Sequence, residues 1–231
     1  MPIFLIAFVI ITSGCEKNIR QLIVVDSFID SRDSIVYTTV DISGETWMAE
    51  NLAYVPQIDT ITGISETEPR YYSPDSIYIP VDQIRTSEYY VEYGILYNWL
   101  AALTACPPGL HLPSDEEWMA LEEFLGMNNS ELSETGYRES GNVDIKLKSR
   151  YGWELEANGS NISSFNSLPA SFLNPPEPFE TAGRGAYFWT STQSQTSSQA
   201  WFRGLRADQN GVNRLTAKRS YAMSVRCIKD D

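Results

Sequence analysis

The chain has 231 residues, of which 42% are hydrophobic and 12% aromatic, enough to bury one sizeable core and too many for a disordered chain. Its 17 Lys and Arg against 30 Asp and Glu leave a formal charge of −13, which argues against a nucleic-acid backbone or an acidic lipid surface as partner, since both need clustered cations. A single histidine, His111, excludes multi-histidine zinc sites and makes any Ser-His-Asp or Cys-His arrangement depend on that one residue.

Residues 1–14, MPIFLIAFVIITSG, are uncharged and mostly apolar, and Cys15 and the polar EKN follow at once. A spanning helix needs about 20 apolar residues, whereas the core of a secretory signal needs roughly 7 to 15 with small residues after it. The block Thr12-Ser13-Gly14-Cys15 resembles the bacterial lipobox, in which small residues precede an invariant, lipidated cysteine. That resemblance implies a signal peptide over 1–14, an acylated Cys15 as the mature first residue and a lipid-anchored protein of the bacterial cell envelope, at the outer membrane or cell surface. The pattern departs in one respect, since no Lys or Arg precedes the apolar core. Export would leave Cys106 and Cys227 as an even pair in an oxidising compartment, where a disulfide is the default expectation.

Residues 15–34 mix charged and apolar residues without a period and read as a tether, with one domain over 35–231. The run VYTTVDI puts Val36, Thr38, Val40 and Ile42 on one face, and Ser43-Gly44 turns the chain into ETWMAENL, a hairpin. Residues 55–93 carry four prolines, seven acids against two arginines, and scattered tyrosines, the composition of a long surface excursion. Ile95, Leu96, Trp99, Leu100 and Leu103 then fall on one helical face, and CPPG ends it. In the next helix Ser114 and Glu117 form a capping box, Asp115 and Glu116 suit the positive end of the dipole, and Trp118, Leu121 and Leu125 supply the stripe. Residues 127–183 are rich in Asn, Ser, Gly and Pro and read mostly as loop. Period two returns in AYFWTST, SQAWFRGLRAD, VNRLTAKRS and YAMSVRCIKD, for three or four antiparallel strands. Helices in the middle with strands at both ends indicate an α+β domain whose termini meet in one sheet.

Dinucleotide, P-loop, HExxH, GxSxG and calcium-loop signatures are missing from the sequence, so no catalytic residue, cofactor or metal ligand is assigned. His111, just before a helix start, reads as structural, its ring bonded to a backbone carbonyl. Glu116, Glu117, Glu122 and Glu123 read as capping or solvated rather than as a catalytic carboxylate pair. The aromatics Tyr151, Trp153, Tyr187, Phe188, Trp189, Trp201, Phe202 and Tyr221 fit either core packing or stacking on sugar faces.

With those segments in view, the chain resembles the Fibrobacter succinogenes major paralogous domain family of exported bacterial domains with a C-type-lectin-like fold. The resemblance runs through TVDISGETWMAENLAY, EYGILYNWLAAL, CPPGLHLPSDEEWMAL, LKSRYGW, FNSLPASF, YFWTST, AWFRGL and YAMSVRCIKD, over about residues 36–230. It implies two helices packed on a looped antiparallel sheet, and a bridge from a cysteine near the second helix to the last strand, the pairing Cys106 with Cys227. Many relatives carry a further cysteine pair before YGxLYxW, and residues 70–93 here have none. Sugar-binding C-type lectins hold calcium with a Glu-Pro-Asn loop and a Trp-Asn-Asp strand. Asn174-Pro175-Pro176-Glu177 and Trp189-Thr190-Ser191 stand in the comparable places, and the strand lacks the acid. HLPSDEEW is similar to the RLPTEAEW segment of formylglycine-generating enzymes, whose chemistry needs reactive cysteines.

The function these readings imply is a noncatalytic, lipid-anchored envelope protein whose lectin-like domain binds a glycan or a surface protein. The alternatives are an enzyme-like domain related to the formylglycine-generating fold and a structural or pilus-associated subunit. The loop between Trp153 and Tyr187 is expected to project from the sheet, with Asn161, Asn166, Asn174 and Glu177 offering polar groups and Trp189 or Trp201 a stacking surface.

Overall fold

The computed structural model describes residues 25–77, 81–175 and 177–230. Cys15 and the apolar block before it lie outside them, as does Pro176. Among the described residues, no helix is long and apolar enough to cross a membrane.

The strands are β1 (Val25–Ile29), β2 (Val36–Ile42), β3 (Glu45–Met48), β4 (Tyr71–Tyr72), β5 (Leu96–Asn98), β6 (Leu110–His111), β7 (Gly136–Arg138), β8 (Gly185–Gln193), β9 (Gln199–Arg206), β10 (Val212–Lys218), β11 (Ala222–Met223) and β12 (Ile228–Lys229). The α-helices are α1 (Val81–Ile84), α2 (Glu88–Tyr93), α3 (Trp99–Ala105), α4 (Asp115–Phe124), α5 (Asn129–Leu132) and α6 (Val143–Leu147). The strands form three sheets, in the orders β1-β2-β3-β12-β6, β7-β10-β9-β8 and β11-β5-β4, and every pairing between these strands is antiparallel. The fold is therefore mixed and mostly β, and the first and last strands of the described residues share one sheet. Part of the stretch read as a tether, Val25–Ile29, is an edge strand paired along its length with β2.

The β2–β3 hairpin turns on Ser43 and Gly44, both at positive φ (66° and 87°), the geometry that matches strand twist and that glycine adopts without a Cβ clash. Asp41 Oδ1 accepts the Gly44 N–H at 3.0 Å and holds the turn closed. In β8 the alternation serves two cores instead of core and solvent. Ala186 and Phe188 enter one apolar cluster with Trp47, Trp118, Leu121, Phe165 and Ile228, while Tyr187 and Trp189 enter another with Tyr37, Met48, Leu52, Tyr97 and Val225. In the first of these Trp47, Trp118, Phe165 and Phe188 meet at centroid distances of 5.2–6.0 Å, mostly edge to face. Each such contact adds about 0.5–1.5 kcal/mol beyond burial. Cys106 and Cys227 are bonded, joining the end of α3 to the approach to β12 across 121 residues.

Three expectations change in detail. The helix read from Ile95 begins at Trp99, because Asn98 caps it with Oδ1 accepting the Ala101 N–H at 3.0 Å, and Leu96–Asn98 pair as β5. The tyrosines of 55–93 are not all surface residues: Tyr72, Tyr89 and Tyr90 are buried. The hydroxyls of Tyr37, Tyr90 and Tyr97 instead satisfy the irregular stretch after β3. Tyr37 Oη accepts the Ala53 N–H at 2.9 Å, Tyr90 Oη donates to Ala53 O at 2.9 Å, and Tyr97 Oη donates to Tyr54 O at 2.8 Å. Residues 127–183 are largely irregular as expected but do not simply project, since Phe165, Leu168, Ala170 and Leu173 are buried against the sheets.

Helix α4 starts with the expected capping box, Ser114 Oγ accepting the Glu117 N–H at 3.1 Å and Glu117 Oε2 accepting the Ser114 N–H at 2.6 Å. Its acids, however, are not all solvated. Glu122 is fully buried and accepts from Arg138 Nη1 (2.7 Å) and Nη2 (2.8 Å) and from Arg203 Nε (2.7 Å). Asp115, also buried, accepts from Arg203 Nη1 at 2.6 Å and from Arg214 Nη2 at 2.5 Å. Burial alone would raise the Asp115 pKa, but the Arg214 hydrogen bonds and the Arg203 charge outweigh it and hold the carboxyl below its ordinary value. This network ties α4 to β7, β9 and β10.

Candidate functional site

The residues singled out in the sequence do not assemble into one site. Trp189 has no exposed surface, and its Nε1 donates to Tyr97 O at 2.8 Å, so it is a core residue with no ring face for a ligand. Trp153 is buried as well, with its Nε1 donating to Ser149 Oγ at 3.0 Å. Trp201 is half-buried, and the Arg214 guanidinium lies 3.8 Å from its ring centroid and occupies one face. Asn174 and Glu177 belong to the turn after Leu173, whose neighbours are Tyr72, Leu96 and Ala222. Trp201 stands instead two residues before Arg203, on the side of β9 that reaches Asp115. His111 is bonded to carboxylates and not to a carbonyl: Nδ1 is 2.7 Å from Asp230 Oδ1 and Nε2 is 2.8 Å from Glu117 Oε1. It links the approach to α4 to the residue after β12. Among the described residues, no group of three or more His, Cys, Asp and Glu is placed to hold a metal ion.

A different feature has the shape of a site. An open groove of about 390 Å³ runs between the start of β2, the stretch after β3, the end of α2 and the loops bearing Tyr151 and Asn166. Three large apolar side chains exposed to solvent stand on it: Val36 (58%), Val91 (73%) and Tyr151 (52%). Scattered exposed apolar residues need no explanation, but three on one concavity mark a surface fit for a ligand. A hollow of about 130 Å³ with Thr38, Val40 and Ser164 continues it, and the two share Ala49, Glu50 and Asn166.

Local chemistry explains how the groove is built. The β2 face carrying Val36, Thr38, Val40 and Ile42 is core at Val40 and Ile42 and open at Val36, so the groove is the uncovered end of a core-forming face. Helix α2 is capped by Ser87, whose Oγ accepts the Tyr90 N–H at 3.2 Å, and it turns Tyr89 and Tyr90 inward and Val91 and Glu92 outward. It stops at Gly94, at φ 73°, where a Cβ would sit 2.7 Å from Leu52 O; only glycine lets this wall close on the stretch after β3. Glu50 Oε2 accepts the Thr38 N–H at 2.8 Å, which pins the carboxylate over the strand.

Beneath the groove Arg226 is buried, with no carboxylate of the described residues at ion-pair distance. It donates instead to Asn51 Oδ1 (2.7 Å), Met48 O (3.1 Å), Phe165 O (2.6 Å) and Asn166 O (3.0 Å). These bonds fix the two asparagines that line the groove. Burial presses the Arg226 pKa down, and the charge of Glu50 works against that shift. The arrangement offers a stacking ring, apolar rims and carboxylate and amide groups, which is equipment for recognition. Tyr151 belonged to the aromatic set read from the sequence; Glu50, Glu92 and Asn51 carried no local signal, because the groove joins five separate segments.

The comparison with curated proteins gives no match, and neither does the comparison with solved structures. The model of the Fibrobacter succinogenes major domain matches residues 40–229, which include most of the groove, both bonded cysteines and the α4 network. The chain therefore belongs to the Fibrobacter succinogenes major domain family.

Proposed function

We propose that the protein is a noncatalytic, lipid-anchored envelope protein whose C-type-lectin-like domain binds a saccharide in the groove beside Tyr151. The observation that carries the binding reading is the convergence of Val36, Val91 and Tyr151 on one concavity that also presents Glu50, Glu92 and Asn166. Sugar recognition needs both kinds of group, since ring faces supply contact area and directional polar groups distinguish one sugar from another. The lectin-like reading is supported by the bond from the end of α3 to the approach to β12 and by the shared sheet of the terminal strands. The anchor rests on the lipobox-like block before Cys15. The reading is tested by electrophoresis of the purified full chain through gels containing polysaccharides. Retardation by at least one polysaccharide that Tyr151→Ala abolishes is expected; no retardation by any, or full retention by the variant, overturns it. The anchor is tested separately with Cys15→Ser, which should leave the membrane fraction.

A further inference from the structure

The groove has a charge sign as well as a shape. Among the described residues lining it none is Lys, Arg or His, while two, Glu50 and Glu92, are carboxylates on its exposed surface. Arg226 lies beneath rather than on this surface, with its donors directed to protein acceptors and its charge set against Glu50. Among the described residues Glu92 makes no ion pair. Glu50 uses one oxygen on the Thr38 N–H at 2.8 Å and the other on Thr38 Oγ1 at 3.3 Å, so acceptor sites remain on both oxygens for a ligand. Phosphorylated, sulfated or uronic saccharides would meet like charge here, in a protein whose net charge is already −13. A protonated amine on a sugar ring meets the opposite case. Its ring CH face fits Tyr151, with Val36 and Val91 as apolar borders, while the ammonium reaches a carboxylate.

Resting on the saccharide reading above, we infer that the groove selects amine-bearing saccharides of the glucosamine type, with Tyr151 as stacking platform and Glu50 and Glu92 as the amine-reading carboxylates.

The test is calorimetric titration of the purified full chain with a glucosamine hexasaccharide, its N-acetylated counterpart, an oligogalacturonate and a lysine hexapeptide, at low and high salt. The glucosamine oligomer should bind roughly tenfold tighter than the acetylated one, the size of one charge-assisted hydrogen bond, and salt should narrow the gap. Glu92→Gln should erase most of that preference, weakening the glucosamine oligomer more than the acetylated one. Glu50→Gln keeps an acceptor for the Thr38 N–H, so it should fold and shift the same ratio. Equal affinity for the two oligomers, tighter binding of the galacturonate, or a ratio unmoved by both variants overturns the inference. If in that case a neutral saccharide still binds and Tyr151→Ala abolishes it, the saccharide reading stands and only the amine selectivity falls. If no saccharide binds, both fall, and binding of the lysine peptide alone would point to a basic protein instead.

Discussion

Replacing Glu122 by Gln should cost more stability than its position on a short, acid-rich helix suggests. The carboxylate is fully buried and receives three hydrogen bonds from two guanidiniums, those of Arg138 and Arg203. With Asp115 it offsets the charges of Arg138, Arg203 and Arg214, so the substitution would leave three buried cations facing one carboxylate. The glutamine amide would also turn N–H donors towards guanidinium donors. Breaking a buried ion pair from one side costs about 3–5 kcal/mol. At roughly 2–4 °C per kcal/mol for a domain of this size, the midpoint should fall by about 6–20 °C. Urea unfolding of the oxidised protein, followed by tryptophan fluorescence, measures the loss directly. Glu154→Gln is the control, because its pair with Arg184 at 3.2 Å is exposed on both sides and contributes about 0–1 kcal/mol. A Glu122→Gln loss below about 1 kcal/mol, no larger than the control's, would mean that the network is hydrated and does not hold α4 to the sheet.

Opening the Cys106–Cys227 bond by Cys227→Ser should destabilise the domain by about 4–5 kcal/mol as an upper figure for so long a closed loop; peptide mapping without reductant should recover the linked pair from the native protein. Burial disfavours the charged His111 ring, but the hydrogen bonds and charges of Glu117 and Asp230 outweigh this and raise its pKa above 6.5. Its contribution is therefore fully present below about pH 6.5 and lost as pH rises through the folded value. Because the ring is partly exposed, the stability gap between the wild type and His111→Gln should be under about 1 kcal/mol and should close as the pH rises through the folded value. Gly94→Ala should lower the urea midpoint measurably, since its Cβ would sit 2.7 Å from the Leu52 carbonyl oxygen in a positive-φ position, and an unchanged midpoint would show that this wall yields freely.

What was legible in the sequence was local or periodic. Ser114 and Glu117 announce the start of α4 because a capping box lies within four residues, and Ser43-Gly44 announces the hairpin because its turn geometry restricts composition. The boundary at Asn98 was hidden because apolar residues run through both β5 and α3, and only the asparagine side chain separates them. Trp189 reads as core or platform when AYFWTST is read as alternating, whereas the unbroken apolar run over residues 186–189 is the pattern of a strand covered on both faces. The Glu122 network joins residues as far apart as Asp115 and Arg214, and no local pattern marks that pairing. The groove is hidden for the same reason. Tyr151 and Trp153 are two residues apart in SRYGWE, and only the tertiary packing makes one exposed and the other core.

Whether the ligand site is the groove beside Tyr151 is decided by a backbone-amide NMR titration of the full chain with saccharides retarded in the gel assay. Saturable shifts should concentrate at Val36, Glu50, Glu92, Gly94, Tyr151 and Asn166, with Tyr151→Ala removing them. Shifts centred on Trp201, Asn174 and Glu177, with the groove unmoved, would contradict that assignment.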